Sequence, residues 1–185
     1  MFSFCRVLVL ELVSLPILGG CITVSPDLES QRPATVPPAS RYDSVAVTGL
    51  AFQGDLQGTL TEALLNHRVT REVVSEAPVR IEGKMLSSAH DSSGGQIAWN
   101  VVNSVCLFFI FGGPYVGSTQ ANFEIRVYEN GQHVGTTRGG GRASWAAVYA
   151  IGHNIPEGRK QALERAEDLS IWNAVESLAR SRRKG

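Results

Sequence analysis

The order of strand-like and helix-like segments in this 185-residue sequence predicts an α+β domain: a mostly antiparallel sheet of about four strands with two helices on one face. Apolar and polar residues alternate along two segments, and the second of these leads into a short turn and a returning strand. A long segment near the C-terminus instead carries apolar residues at helical spacing. Strands with a period of two and a helix with a period of 3.6 are the parts of such a domain.

Four segments of the sequence are predicted to be strands. Residues 44–52 are apolar on both alternating faces, which is typical of a central strand. A short strand is predicted at 70–75. Residues 79–86 and 121–127 alternate between apolar and polar side chains, which predicts half-buried strands.

A hairpin is predicted after the strand at 121–127. The dipeptide Asn130-Gly131 is typical of a two-residue turn, because both residues tolerate a positive φ. With this turn, Val127 is expected opposite Val134, and Ile125 opposite Thr136, on the core side of the sheet. The returning strand is expected to run to about Ala143.

Two helices are predicted. The first follows Asp55, which can cap it, and places Leu56, Leu60, Ala63 and Leu64 on one face. The second begins at Asn154, with an early proline and an acidic residue three positions on. Its apolar stripe consists of Leu163, Ala166, Leu169, Trp172, Val175 and Leu178.

The N-terminal 20 residues have the three parts of a signal peptide. Arg6 supplies positive charge, residues 7–18 are mostly apolar, and small residues precede Cys21. The apolar stretch is too short for a comfortable transmembrane helix. Residues 1–20 are therefore predicted to be a cleaved leader.

The motif Leu18-Gly19-Gly20-Cys21 resembles the lipobox of bacterial lipoproteins. This resemblance implies that a diacylglycerol is linked to the Cys21 thiol, that the leader is cut before Cys21, and that the new N-terminus receives an acyl group such as palmitate. Two or three acyl chains anchor a protein stably on a bilayer. Ile22 follows the cysteine, where an Asp would imply retention in the inner membrane, so the resemblance implies the periplasmic side of the outer membrane.

A linker is predicted between this anchor and the domain. Residues 21–41 contain the lipidated Cys21 and then four prolines among polar residues, a composition typical of an extended, structureless segment. About 20 such residues span at most roughly 70 Å. The folded domain is expected to occupy residues 42–185.

Two apolar segments, 97–116 and 144–151, do not fit an ordinary loop-connected domain. The hairpin places both at the same end of the sheet. Within the first, the apolar part from Trp99 to Phe111 has 13 residues, about 20 Å as a helix, and is interrupted by Asn100, Asn103 and Ser104, so a full bilayer span is not expected. They are interpreted either as core, or as a surface that contacts lipid or an envelope protein partner. The aromatic residues of that surface would be Trp99, Phe108, Phe109, Phe111, Trp145 and Tyr149.

Motifs for catalysis, metals or cofactors are missing from the sequence. The four histidines lack metal-ligand spacing, and His90-Asp91-Ser92 are neighbours along the chain, which rarely produces a catalytic triad. Equal numbers of basic and acidic residues, 17 each, give no basic excess for nucleic acid.

The sequence therefore predicts a non-enzymatic, lipid-anchored binding or assembly component of the cell envelope, without a cofactor. Its layout is similar to that of small periplasmic accessory lipoproteins of envelope transport and assembly systems. Two alternatives stay open: an envelope enzyme whose site assembles from residues distant in sequence, and an inner-membrane protein with 97–116 inserted in the bilayer.

Overall fold

The computed structural model describes residues 22–26, 40–49, 56–91, 94–102, 114–148 and 154–181. Within these ranges the chain forms six strands and three helices. Their order is β1 (Ile22–Pro26), β2 (Tyr42–Thr48), α1 (Leu56–Asn66), β3 (Thr70–Val74), β4 (Val79–Asp91), α2 (Gly94–Val102), β5 (Pro114–Glu129), β6 (Gln132–Val148) and α3 (Asn154–Ser181).

The six strands form one sheet with the order β1-β6-β5-β4-β2-β3. The long strands β4, β5 and β6 are antiparallel and occupy its centre, and β1 pairs antiparallel with β6 at one edge. At the other side, β2 pairs in parallel with both β3 and β4. The α+β architecture and the mostly antiparallel sheet are thus confirmed in outline.

The counts of elements differ from the prediction. Five strands from Tyr42 onward and β1 replace the expected four, and α2 is an additional helix. The predicted central strand at 44–52 corresponds to β2, which has a neighbour on each side, β4 and the edge strand β3. β4 and β5 also extend well beyond the alternating segments that predicted them, because polar residues such as Ser88 and Gln120 continue the ladder between them.

The predicted hairpin register is wrong by one residue. Asn130 and Gly131 form the turn, with φ values of 50° and 81°. Tyr128 pairs with His133, but Val127 pairs with Gly135 instead of Val134, and Ile125 pairs with Thr137 instead of Thr136. A β-bulge at this point inserts one extra residue, and the bulged Val134 is 48% exposed rather than in the core.

The core lies between the sheet and the helices α1 and α3. Phe123 and Ile125 project from β5 into it, and both are fully buried. From α1 it receives Leu60, Ala63 and Leu64, as the sequence predicted, and α1 also packs against α3. The face of the sheet away from these helices carries the alternate residues of β4, β5 and β6.

A seam of small residues lets α3 contact β6 backbone to backbone. Every fourth residue along this side of α3 is Ala or Ser and fully buried: Ala162, Ala166, Ser170 and Ala174. A Cβ at Gly139 would lie 2.2 Å from the carbonyl oxygen of Ser170, and one at Gly141 would lie 2.0 Å from that of Ala166. Glycine at these two positions therefore permits the close approach of helix and sheet.

The beginning of the predicted linker is a strand. Ile22–Pro26 forms β1, in register with 143–147 of β6, so that Ile22 pairs with Ala147 and Pro26 with Ala143. This differs from a linker that is structureless from residue 22, because β6 offers an edge with backbone groups to pair and Ile22, Thr23 and Val24 are β-branched. The rest of the predicted linker to residue 39, and the leader, lie outside the described residues.

Candidate functional site

The side chain of Asn100 links the helix α2 to the end of the central sheet. β4 ends at Asp91, which pairs with Ser118, so β5 continues past its neighbour. Val116 lies two residues before Ser118 in β5, and Asn100 of α2 pairs with its backbone. Nδ2 of Asn100 donates to the carbonyl oxygen of Val116 at 2.9 Å, and Oδ1 of Asn100 accepts from the N–H of Val116 at 3.0 Å. The Asn100 amide thereby supplies the donor and the acceptor of a strand residue, which satisfies backbone groups that β4 leaves unpaired.

Four large apolar side chains of α2 are exposed. Ile97 is 54% exposed, Trp99 44%, Val101 56% and Val102 52%. We call these four side chains the α2 surface. The remaining large apolar side chains that are exposed in the described part of the chain, Leu65, Leu86 and Val134, lie singly on α1, β4 and β6. Single exposed apolar residues are ordinary, whereas a cluster on one short helix indicates a contact surface.

Trp145 does not belong to this surface. It is 8% exposed and packs with Ala121, Ala143, Ala162 and Ala166 under α3. Its indole ring occupies the space above Gly117, where a Cβ would lie 2.7 Å from three ring atoms. The prediction that Trp145 contacts lipid or a partner is therefore wrong, because β6 turns this side chain toward the helix.

The other residues of the predicted contact surface are only partly described. Trp99 is exposed on α2, as the interpretation of a surface that contacts lipid or a partner requires. Phe108, Phe109, Phe111, Tyr149 and the predicted lipidation site Cys21 lie outside the described residues. No helix in the described ranges combines the length and the apolar character needed to cross a bilayer.

The start of β1 lies at the same end of the sheet as α2. Ile22 pairs with Ala147 of β6, and Ala147 pairs in turn with Tyr115 of β5. Tyr115 is the neighbour of Val116, which Asn100 holds. The chain therefore enters the domain, immediately after Cys21, at the end that carries the α2 surface.

On the face of the sheet away from α3, two arginines hold one carboxylate. Glu124 is only 3% exposed in its side chain. Its Oε1 accepts from Nε and Nη2 of Arg126, both at 2.8 Å, and its Oε2 accepts from Nε and Nη2 of Arg138, both at 2.8 Å. The hydrogen bond from Arg138 is the largest cause that lowers the pKa of Glu124, and Arg126 lowers it further. We call this group the Arg126–Glu124–Arg138 cluster; it carries one net positive charge.

Sequence reasoning missed this cluster. The alternation along 121–127 placed Glu124 and Arg126 on one face, but the expected hairpin register would have put Thr137 opposite Glu124. The bulge at Val134 moves Arg138 into that position instead. The one signal in the sequence was the pair of opposite charges at Glu124 and Arg126 on the polar face, and it could not identify Arg138 as the third member.

Other perturbed titratable groups are distributed through the fold. Burial lowers the pKa of His67, whose ring contacts that of Trp172 edge-on at 5.4 Å. Burial also raises the pKa of Asp168, which accepts a hydrogen bond from Thr59 at 3.2 Å. These contacts join α1 or the turn after it to α3, so their role is structural. Among the described residues no group of three His, Cys, Asp or Glu side chains could hold a metal ion.

No family model and no curated protein sequence matches this chain. Solved structures give weak similarities. A lipoprotein from Caulobacter crescentus has 15% identity, covers 78% of this chain and 92% of its own, with a TM-score of 0.45. A minor lipoprotein from Acinetobacter baumannii has 11% identity over 77% and 93%, with a TM-score of 0.41.

A third similar structure is the uncharacterized lipoprotein B from Nitrosomonas europaea, with 9% identity over 83% of this chain and 95% of its own and a TM-score of 0.45. Proteins with these three descriptions are what the chain is similar to. At such identities and TM-scores, the similarity assigns neither a family nor a function to it.

Proposed function

We propose that this protein is a bacterial lipoprotein, held by acyl chains on Cys21 at the periplasmic side of the outer membrane, where it is a non-enzymatic binding or assembly component of the envelope. The observation that carries the proposal is Leu18-Gly19-Gly20-Cys21 at the end of an apolar leader. Cleavage before Cys21 would leave Ile22–Pro26 at the start of the mature chain, and these residues form the edge strand β1. A mature chain that begins its fold one residue after the anchor supports this cleavage position.

A charged contact surface, rather than a catalytic constellation, supports a role in binding or assembly. The Arg126–Glu124–Arg138 cluster gives the sheet a positively charged site with Arg138 71% exposed. The partner in this proposal is another protein of the cell envelope. No cofactor is part of it.

The lipidation itself is tested by metabolic labelling with an alkyne fatty acid. Wild-type protein should incorporate the label, and Cys21→Ser should not, because the thiol is the acceptor. Cys106→Ser is the matched control, since it removes the other cysteine of the mature chain and should label like the wild type. Equal labelling of wild type and Cys21→Ser would contradict the proposal.

The outer-membrane location is tested by density fractionation of the two membranes. The protein should sediment with the outer membrane. Ile22→Asp should move it to the inner membrane, because in the bacterial lipoproteins that the motif resembles the residue after the lipidated cysteine directs sorting. Val24→Asp puts the same charge on the same face of β1 and should leave the location unchanged. Wild-type protein in the inner-membrane fraction would refute the assignment and favour the inner-membrane alternative.

A further inference from the structure

We propose that the domain is docked on the lipid bilayer rather than suspended from a long linker, with the α2 surface inserted in the interfacial region of the membrane. This inference rests on the proposed lipidation of Cys21. It adds an orientation and a membrane-contacting helix, neither of which follows from lipidation alone. The occupant of the α2 surface is therefore a phospholipid surface.

The first step is the position of the anchor. β1 pairs with β6 from its first residue, so the lipid on Cys21 is attached one residue from the Ile22–Ala147 pair. Two strand spacings separate Ile22 from Tyr115, or about 10 Å. Because the linker begins as an edge strand, its length no longer separates the lipid from the domain. The acyl chains must enter the bilayer from the end of the sheet that carries α2.

The second step is the chemistry of α2. Its nine residues contain no Asp, Glu, Lys or Arg, and four of them form the exposed α2 surface. A helix of nine residues is about 14 Å long, too short to span the bilayer core of about 30 Å but suited to lying in the interface. Tryptophan is enriched at that depth, where an apolar ring with one polar atom is favourable.

The third step compares the two ends of the sheet. The opposite end carries the Asn130-Gly131 turn, flanked by Glu129, Gln132 and His133. Those residues are polar, whereas the end beside Ile22 presents α2. Once lipid holds this end at the bilayer, the effective concentration of the membrane around α2 is high, so that even weak insertion is favoured.

The first test follows Trp99 in the acylated full-length mature protein. It is reconstituted into vesicles of phosphatidylethanolamine and phosphatidylglycerol (3:1) that contain a phosphatidylcholine brominated near the glycerol end of its chains. Bromine should quench part of the tryptophan emission, and Trp99→Phe should abolish that part, since Trp145 is buried and Trp172 is on α3. Equal quenching of both proteins, or none, would overturn the proposal.

The second test does not depend on lipidation. The mature chain with Cys21→Ser is floated with the same vesicles, and its partition coefficient is measured for Ile97→Ser/Val101→Ser and for the control Leu65→Ser/Val134→Ser. The controls are also exposed apolar residues, 40% and 48%, but lie in the last turn of α1 and beside the hairpin turn. We expect the α2 variant to lose about tenfold or more and the control less than about twofold, with melting temperatures close to the parent for both.

Metabolic labelling of Cys21 and flotation of the α2 variant together distinguish a failure of the lipidation proposal from a failure of the docking proposal. If Cys21 takes no label but flotation still depends on Ile97 and Val101, lipidation fails and membrane docking stands. If Cys21 is labelled and the α2 variant floats like its parent, docking fails while the lipoprotein proposal stands. A dimer in solution that Ile97→Ser/Val101→Ser dissolves, without any effect on flotation, would assign the surface to a second copy and overturn the docking proposal.

Discussion

The carboxylate of Glu124 lies between the guanidinium groups of Arg126 and Arg138. Each oxygen receives two N–H groups from one arginine, and these charge-assisted bonds favour the ionised form. The pKa of Glu124 is therefore lower in the folded chain than in the unfolded chain, where a glutamate titrates at about 4.3. Its contribution to stability is complete above the unfolded value and is lost as the pH falls through the folded value.

This sign gives a prediction for Glu124→Gln. At pH 7 the variant should melt below the wild type, because an amide has one accepting oxygen instead of two and no negative charge, which leaves Arg126 and Arg138 to repel each other. Below about 4.3 the unfolded chain takes up a proton at Glu124 before the folded chain does, so the difference in melting temperature should shrink as the pH falls toward the lowered pKa of the folded state. Calorimetry across this range measures the difference.

Glu164→Gln is the matched control for acid sensitivity. Glu164 is on the exposed side of α3, 3.9 Å from Lys160. An exposed pair of this kind contributes only about 0–1 kcal/mol, so the control should melt close to the wild type at pH 7. A melting difference between wild type and Glu124→Gln that stays constant from pH 7 to pH 3 would refute the role assigned to the cluster.

At the scale of residues, sequence reasoning identified faces better than partners. It placed Ile125 and Val127 in the core, and both are buried. It failed for Val134 and for the partner of Glu124, because a bulge changes every pairing beyond it while leaving the alternation of the partner strand unchanged. It also failed for Trp145, since an aromatic residue in a strand does not reveal whether a later helix covers it.

At the scale of elements, the contact between α3 and β6 depends on the absence of side chains at two positions. Gly139→Ala should lower the free energy of unfolding by about 1–3 kcal/mol, because the added methyl group meets the backbone of Ser170 and Ala174 and the helix must move away. Denaturant titration monitored by circular dichroism measures this loss.

Gly140→Ala is the control within the same strand. A Cβ at Gly140 points to the other face and lies 3.4 Å from Oδ1 of Asn122, so the change should stay within about 0.5 kcal/mol. If both variants lost the same stability, the effect would come from the backbone of β6 and not from the seam with α3.

The three glycines at 139–141 show why this seam was hard to predict. A run of three glycines does not reveal by itself which of them faces a helix, and β6 is continuous through all three. The apolar stripe predicted on α3 was correct for Ala166, Leu169, Val175 and Leu178, which are buried. What the stripe could not reveal is that the small residues between the large ones mark the line of closest approach.

At the scale of the whole molecule, the layers followed from patterns along the chain, whereas the edge of the sheet did not. A period of two and a period of 3.6 are local properties, so they predicted the sheet and the helices that cover it. β1 depends on a partner more than 100 residues away, at 143–147, and its five residues lie in a proline-rich stretch. Composition therefore favoured a linker where tertiary pairing forms a strand.

The role of β1 is tested by replacing two of its inner residues with proline. Thr23→Pro/Val24→Pro removes two N–H groups, and whichever of them faces β6 is lost from the ladder. Amide hydrogen exchange should then accelerate at those positions of 143–147 whose N–H groups point to β1, while exchange at Ile81 and Ile125 stays slow. Thr23→Ala/Val24→Ala is the control, and unchanged exchange in the proline variant would refute the pairing.

The antiparallel pairing of β1 with β6 also determines how mechanical load passes from the membrane into the protein. Under the proposed anchoring, tension on the lipid pulls at the N-terminal end of β1 and along the strand axis. Ladder hydrogen bonds lie across that direction, so the pull shears all of them together instead of opening them one after another. From β6 the load spreads to β5 through 16 paired positions. A domain attached in this way resists extraction with its central sheet, and its weakest point is the five-residue strand beside the lipid.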